Sequence, residues 1–236
     1  MSHSDEAVGN WSRIIFSPEL YLEDDFISYW MATISLVPFL ETIAVVELAV
    51  VRRDLHTILF AISRELMVHL TGALKALIGQ RRPSALDDDQ QMMVTAAGMP
   101  STHVSMESFT AGYLVLFLMW RMPEQWSTAE RRQSVWWRLS LSVAFAAHVA
   151  LQGFSRWYLN LHSIAQIAAA FPYGLVMALL AFLLIHKVMT PYFPTVQKWR
   201  VCKFLLICDL TKVANITKFE YENAVSESRL LQVDLH

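Results

Sequence analysis

Along this chain apolar residues come in long blocks, at 26–51, 57–78, 104–120, 139–154 and 164–187, divided by short polar clusters. At ~1.5 Å rise per residue, blocks of this length match a helix crossing the ~30 Å hydrocarbon layer of a bilayer. In lipid a single segment satisfies its own backbone only as a helix, so the pattern predicts five helices rather than strands. The block at 139–154 is the shortest. A later apolar stretch, 201–207, is too short to span and is flanked by Lys198, Arg200 and Lys203, which predicts an interfacial helix.

Composition sharpens this picture. Of 236 residues 55% are hydrophobic and 17% charged, with a mean hydropathy of +0.36, which excludes an ordinary soluble domain. The expected fold is all-α, a polytopic membrane helical bundle of about five transmembrane helices. It divides into an N-terminal segment (1–25), a transmembrane domain (26–187) and a C-terminal tail (188–236). No nucleic-acid partner is expected. The acidic start, with Asp5, Glu6, Glu19, Glu23, Asp24 and Asp25, lacks the basic and apolar regions of a cleavable signal, which leaves targeting to the first spanning helix.

Charge also has sides. Arg52 and Arg53 follow the first block, Arg121, Arg131, Arg132 and Arg138 lie between the third and fourth, and Lys187, Lys198, Arg200, Lys203 and Lys212 follow the fifth. The acidic N-terminus and Asp87-Asp88-Asp89 fall on the other side. By the positive-inside rule the N-terminus is lumenal or extracellular and the C-terminus cytosolic. Inside the bilayer, counting depth from the polar ends pairs Glu47 with Arg64 and brings Glu41 toward His69. Cys202 and Cys208 have neither zinc-like nor C-x-x-C spacing and imply no disulfide framework or metal site.

Three polar clusters carry the chemistry. Lys75-x6-Arg82-Pro83 closes the second block, Pro100-Ser101-Thr102-His103 opens the third, and Ser155-Arg156-x5-His162 lies between the fourth and fifth. Five crossings bring all three to one membrane face. Persistent cations suit a phosphate, a helix N-terminus offers it free amides, and two imidazoles supply a nucleophile and a proton donor. Lys75 alone reads as a snorkelling lysine, but Pro83 stops the segment and fixes where Arg82 leaves the membrane. Arg81 is open between a second phosphate and a solvated surface. Ser101 and Thr102 also fit an ordinary N-cap. Gln166, four residues after His162, shares its face if a helix has begun there, and its amide oxygen is placed to orient the imidazole. His56, His69, His148 and His186 read as structural, and Asp87-Asp88-Asp89 as a solvated loop. Asn10 and Asn215 begin glycosylation triplets, of which only the former falls on the lumenal side.

The ordered set K-x6-RP, PSGH and SR-x5-H-x3-D resembles the type 2 phosphatidic acid phosphatase superfamily. Thr102 stands where that pattern has Gly, and Gln166 where it has Asp. Both departures are similar to the dolichyl-diphosphate phosphatase branch, which reads GMPS-[S/T]-H and H-x3-Q, as do 98–103 and 162–166. Arg53-Asp54-Leu55-His56-Thr57 and Thr190-Pro191-x-Phe193-Pro194 resemble it too. The resemblance implies that His162 attacks phosphorus to form a phosphohistidine. It implies that His103 protonates the leaving group and then activates water, while Lys75, Arg82, Ser101, Thr102 and Arg156 hold the nonbridging oxygens. It implies no metal and no cofactor, a polyprenyl (dolichyl) diphosphate substrate, and an endoplasmic reticulum enzyme with a lumenal site that recycles the carrier for protein N-glycosylation. A sibling phosphatase of sphingoid-base phosphate or phosphatidate remains an alternative, as does a noncatalytic lipid-binding protein on the same scaffold.

Overall fold

The computed structural model describes residues 11–14, 20–83, 97–122, 128–213 and 216–233. Asp87-Asp88-Asp89, Asn10 and Asn215 lie outside the described residues. Two three-residue strands, β1 (Trp11–Arg13) and β2 (Leu20–Leu22), pair antiparallel before the first helix, and the rest is helical.

The first apolar block forms two helices end to end. Asp25 caps α1 (Phe26–Ile34) by accepting from the Ile27 amide at 2.9 Å, and Pro38, which has no N–H to donate, opens α2 (Val37–Arg52) after a two-residue turn. Arg53 then ends α2 in the left-handed conformation (φ 52°). Asp54 starts α3 (Leu55–Ile78) by accepting from the amides of His56 and Thr57. The Arg-Asp-Leu-His-Thr stretch is thus a two-residue helical hairpin. The tail returns to it, with Cys208 N–H donating to Arg53 O (2.9 Å) and Leu55 N–H to Cys208 O (3.2 Å).

The third block, α4 (Thr102–Leu116), runs on into a π-helical turn, Phe117–Arg121. It is followed by α5 (Thr128–Tyr158) and α6 (Ile164–Leu183), the latter extended by a second π-helical segment, Leu184–Met189. A 3₁₀ turn (Thr190–Tyr192) and the short helices α7 (Phe193–Val196) and α8 (Arg200–Phe204) carry the chain to α9 (Ile216–Val233). The fourth block, the shortest apolar run, lies in a helix of 31 residues. Hydropathy marks only its apolar middle, while the arginine-rich start continues the same helix, and buried Arg138 donates to Leu118 O at 3.1 Å.

Among the described residues four helices are long and apolar enough to cross a membrane: Phe26–Arg52, Leu55–Ile78, Arg132–Tyr158 and Ile164–Val196. The fifth, α4, is the central one, packed on α2, α3, α5 and α6. Shielded from lipid by its neighbours, it tolerates Ser105, Glu107, Ser108 and Thr110, all buried. Gly174 lets α6 lie directly on it, since a Cβ there would come within 2.6 Å of Ser108 Cβ. Phe109, Tyr113, Phe182 and Phe193 centre the main core, while Phe26, Phe39, Leu77 and Val143 point outward, as lipid-facing side chains do.

Arg64 is wholly buried. Its guanidinium donates to Pro38 O (2.9 Å), Thr110 Oγ1 (3.2 Å) and Thr42, and lies 3.5 Å from Glu41. The Glu47–Arg64 pairing is therefore corrected to Glu41–Arg64, with Glu47 and His69 exposed. Depth alone misled, because six residues turn Glu47 about 120° around the helix from Glu41. We expect Arg64→Ala to cost about 3–5 kcal/mol of stability in detergent and Glu47→Gln less than about 0.5 kcal/mol. A Glu41→Gln/Arg64→Gln cycle is expected to show coupling, and strict additivity would remove the contact.

Candidate active site

Each polar cluster is set in place by the way a helix stops. Gly79, at φ 63°, terminates α3, with its N–H on Lys75 O at 2.9 Å, which leaves buried Lys75 in the last turn. The chain then continues through Arg81 and Arg82. On either side of the segment beyond, Arg81 pairs with Ala97 and the Gly98 N–H reaches Gln80 O at 2.6 Å.

At the other end of that segment Ser101 is the N-cap of α4, but its side chain makes no capping bond. The hydroxyl is fully buried and has no hydrogen-bond partner among the described residues. The N-cap expectation thus holds for the backbone and not for the side chain. Thr102 and His103 occupy the first turn, half-buried.

Asn160 makes the third cluster. In the left-handed conformation (φ 53°) it closes α5 with a Schellman motif, in which Asn160 N–H bonds Trp157 O (2.9 Å) and Leu161 N–H bonds Arg156 O (3.1 Å). His162 N–H shares that Arg156 carbonyl at 3.2 Å, and buried Leu159 and Leu161 anchor the turn on Ala32. His162 is thereby pinned over the last turn that presents buried Arg156. Ser155 faces elsewhere, with its hydroxyl on Met31 O and Ser35 Oγ, both at 2.7 Å.

Ser163 then caps α6 in a capping box with Gln166. Gln166 is buried and every part of its amide is engaged. Oε1 accepts from Ser163 N–H (3.2 Å) and lies 3.1 Å from His162 Nδ1, while Nε2 donates to Arg81 O at 2.8 Å. Because Nε2 is committed to a carbonyl, the oxygen must face the imidazole. The His162 proton therefore rests on Nδ1, and Nε2 carries a free lone pair. Gln166 O also accepts from Ser101 N–H at 3.3 Å. One residue thus ties the segment after α3, the start of α4 and the His162 turn together.

Burial, and then the positive charges of Arg156, Arg82 and Lys75, hold the His162 pKa down to about 2, with the Gln166 hydrogen bond pulling the other way. A neutral imidazole with a bare Nε2, set among three cations, is equipped to attack a phosphorus whose oxygens those cations hold. The predicted residues Lys75, Arg82, Ser101, Arg156, His162 and Gln166 come together at this end of the bundle, with Thr102 and His103 in the helix turn beside Ser101.

Gly98 enters the sequence reading only through the motif of the resemblance, and Asn160 does not enter it. A Cβ on Gly98 would lie 2.6 Å from Gln166 Nε2, so only glycine leaves room for the amide. A separate cluster, Glu41, Glu107 and His148, brings one ligand atom from each residue within 4.8 Å of one another. There Arg64 stands 3.5 Å from Glu41, and His148 Nε2 is 2.9 Å from Glu107. Glu107 lies about 9 Å along α4 from Ser101.

Residues 55–190 match the PAP2 superfamily. The chain is 30% identical over 220 residues to human Dolichyldiphosphatase 1, covering 93% of this chain and 91% of the relative. It is 27% identical to Lipid phosphate phosphatase gamma of Arabidopsis thaliana, covering 86% and 87%, and 24% identical to Dolichyldiphosphatase 1 of Dictyostelium discoideum, covering 89% and 88%. No solved structure matches.

Since displacing a reacting group by about 1 Å can cost ~10²-fold, Gly98→Ala is expected to lower turnover of a phosphorylated lipid by about that factor in a folded protein. The double variant Gly98→Ala/Gln166→Ala is expected to fall no further than Gln166→Ala. Multiplying losses would mean that Gly98 acts independently of the amide.

Proposed function

The chain belongs to the PAP2 superfamily, and within it to the dolichyldiphosphatase branch, and on that footing we propose that it hydrolyses dolichyl diphosphate to dolichyl phosphate and inorganic phosphate. The observation that carries the reading is the neutral His162, oriented by Gln166 and faced by Arg156, Arg82 and Lys75. In the proposed sequence Nε2 of His162 attacks the terminal phosphorus in line. The bond to the bridging oxygen breaks, and His103, starting protonated, gives its proton to the departing dolichyl phosphate. Neutral His103 next takes a proton from water, whose oxygen attacks the phosphohistidine. The N–P bond breaks, and phosphate leaves with both histidines restored. The three cations, the Ser101 hydroxyl and Thr102 stabilise the nonbridging oxygens as charge moves onto the leaving group.

A site at the rim of the bundle admits a headgroup while the polyprenyl chain stays in the bilayer. We assign residues 26–187 to the transmembrane phosphatase domain, 1–25 to a lumenal segment and 188–236 to a cytosolic tail. Arg52, Arg53, Lys187, Lys198, Arg200 and Lys203 all flank the helix ends opposite His162, which supports this orientation by the positive-inside rule. The compartment that fits is the endoplasmic reticulum membrane, with the active site lumenal and the product returned for protein N-glycosylation.

Purified protein supplied in parallel with dolichyl diphosphate, sphingosine phosphate and phosphatidate, with chelator present, tests the substrate. Preferential release of phosphate from the diphosphate is expected, and equal or better hydrolysis of a monophosphate would overturn it. His162→Ala is expected to abolish release and to yield no acid-labile phosphoprotein, while His103→Ala loses roughly 10²–10⁴-fold.

The low proton affinity of His162 gives a further expectation. A raised pKa keeps the nucleophile protonated to higher pH, so a carboxylate beside it moves the acidic limb upward, and the neutral amide leaves that limb low. Gln166→Asp is therefore expected to shift the acidic limb of kcat/KM to higher pH with activity retained, and Gln166→Ala to lower the rate at every pH. Superimposable profiles for both variants and the parent would dismiss the orienting role.

A further inference from the structure

At the end of the bundle away from His162, a cavity of about 180 Å³ is lined by Trp120, Arg121, Phe182, His186, Lys187 and Thr190. A water occupies ~30 Å³ of the liquid, so the space equals roughly six waters. That suits a phosphate with a few atoms of its ester. Among the described residues no carboxylate lines it. Of the acids beyond it, Asp54 caps α3 and Asp209 Oδ1 accepts from Thr211 N–H at 2.9 Å.

Both helices that wall the cavity change to π-helix at this level, α4 at Phe117–Arg121 and α6 at Leu184–Met189. Such turns are rare and concentrate at functional sites, because the extra residue re-aims side chains at the expense of regular hydrogen bonding. Here carbonyls within the π turns are compensated, Leu118 O by Arg138 (3.1 Å) and Ile185 O by the Thr190 hydroxyl (2.8 Å). The re-aimed residues are Trp120 and Arg121 on one wall, His186 and Lys187 on the other. Arg121 is braced by a bond to Thr211 O at 3.1 Å, and the Lys187 ammonium lies 5.7 Å from the Trp120 ring centre. Tyr113 Oη is 3.1 Å from His186 Nε2, while buried Nδ1 of His186 has no partner among the described residues.

We propose that this cavity binds the phosphate of an anionic membrane lipid in the leaflet opposite the candidate active site. Arg121 and Lys187 supply the charge-assisted contacts, and the half-buried His186 ring forms part of the wall. A lipid is favoured over free phosphate because exposed Trp120, Tyr192 and Trp199 set the cavity at the level where aromatic side chains meet headgroups. The inference does not depend on which lipid is hydrolysed at the other end.

The test uses the full chain in vesicles of phosphatidylcholine, alone or with a minor fraction of phosphatidylglycerol, a phosphodiester. Retained lipid is counted by native mass spectrometry. A parallel arm adds inorganic phosphate to phosphatidylcholine vesicles and follows the unfolding midpoint. We expect phosphatidylglycerol retention to fall roughly tenfold in Lys187→Gln, the loss of one charge-assisted contact, and to be preserved in Lys187→Arg, with hydrolysis in phosphatidylcholine unchanged in both. Arg121→Gln should behave as Lys187→Gln does. Equal retention by the parent, Lys187→Gln and Arg121→Gln overturns the proposal. So does a response to inorganic phosphate alone that these variants lose.

Discussion

Three cationic side chains crowd one neutral imidazole in a largely desolvated rim, and the fold around them answers that electrostatic constraint. Arg156, Arg82 and Lys75 each disfavour a proton on His162. Like charges held together out of water raise the free energy of the folded state. In the function proposed, a bound phosphate relieves part of that repulsion. Maintaining it requires a scaffold that does not relax, which is what the rest of the bundle supplies.

Rigidity comes from helix ends rather than helix middles. Lys75 is held by the stop at Gly79, Ser101 by the start of α4, and Arg156 with His162 by the Asn160 turn and the Ser163 capping box. Each stop fixes backbone direction within one turn of a functional side chain. The buried amide of Gln166 then links three of these ends through side chain and main chain. The arrangement also explains a polar helix at the bundle's centre. α4 carries the Ser101 end of the site, and because its neighbours shield it from lipid it holds buried Ser105, Glu107, Ser108 and Thr110 beside the core residues Phe109 and Tyr113.

Much of this was legible because membrane helices and helix-end clusters leave strong marks in sequence. The five blocks, the three clusters and the Gln166–His162 spacing follow from lengths, stops and a four-residue offset. What escaped was azimuth and backbone conformation. Glu41 rather than Glu47 meets Arg64 because rotation, not depth, chooses the partner. The polar start of α5 hid a helix of 31 residues from a hydropathy reading. Gly98 matters through a Cβ it lacks, and Asn160 through a left-handed φ that asparagine tolerates, and neither shows as a periodic signal. The π-helical turns at the far end are equally silent, since their cause is packing among helices distant in sequence.

The choice of amide over carboxylate at position 166 belongs to the same electrostatics. An aspartate there would orient the imidazole as well, yet it would cancel one of the surrounding positive charges and hold the His162 proton more tightly. Glutamine orients without cancelling. It also has a hydrogen-bond donor that a carboxylate lacks, and the structure uses it on Arg81 O at 2.8 Å, which stations the chain that leads into Arg82. For the diphosphate proposed here, more highly charged than a monoester, an orienting group that adds no negative charge of its own is the better electrostatic match. Neutral orientation at His162 and the placing of the chain before Arg82 are then two consequences of one side chain.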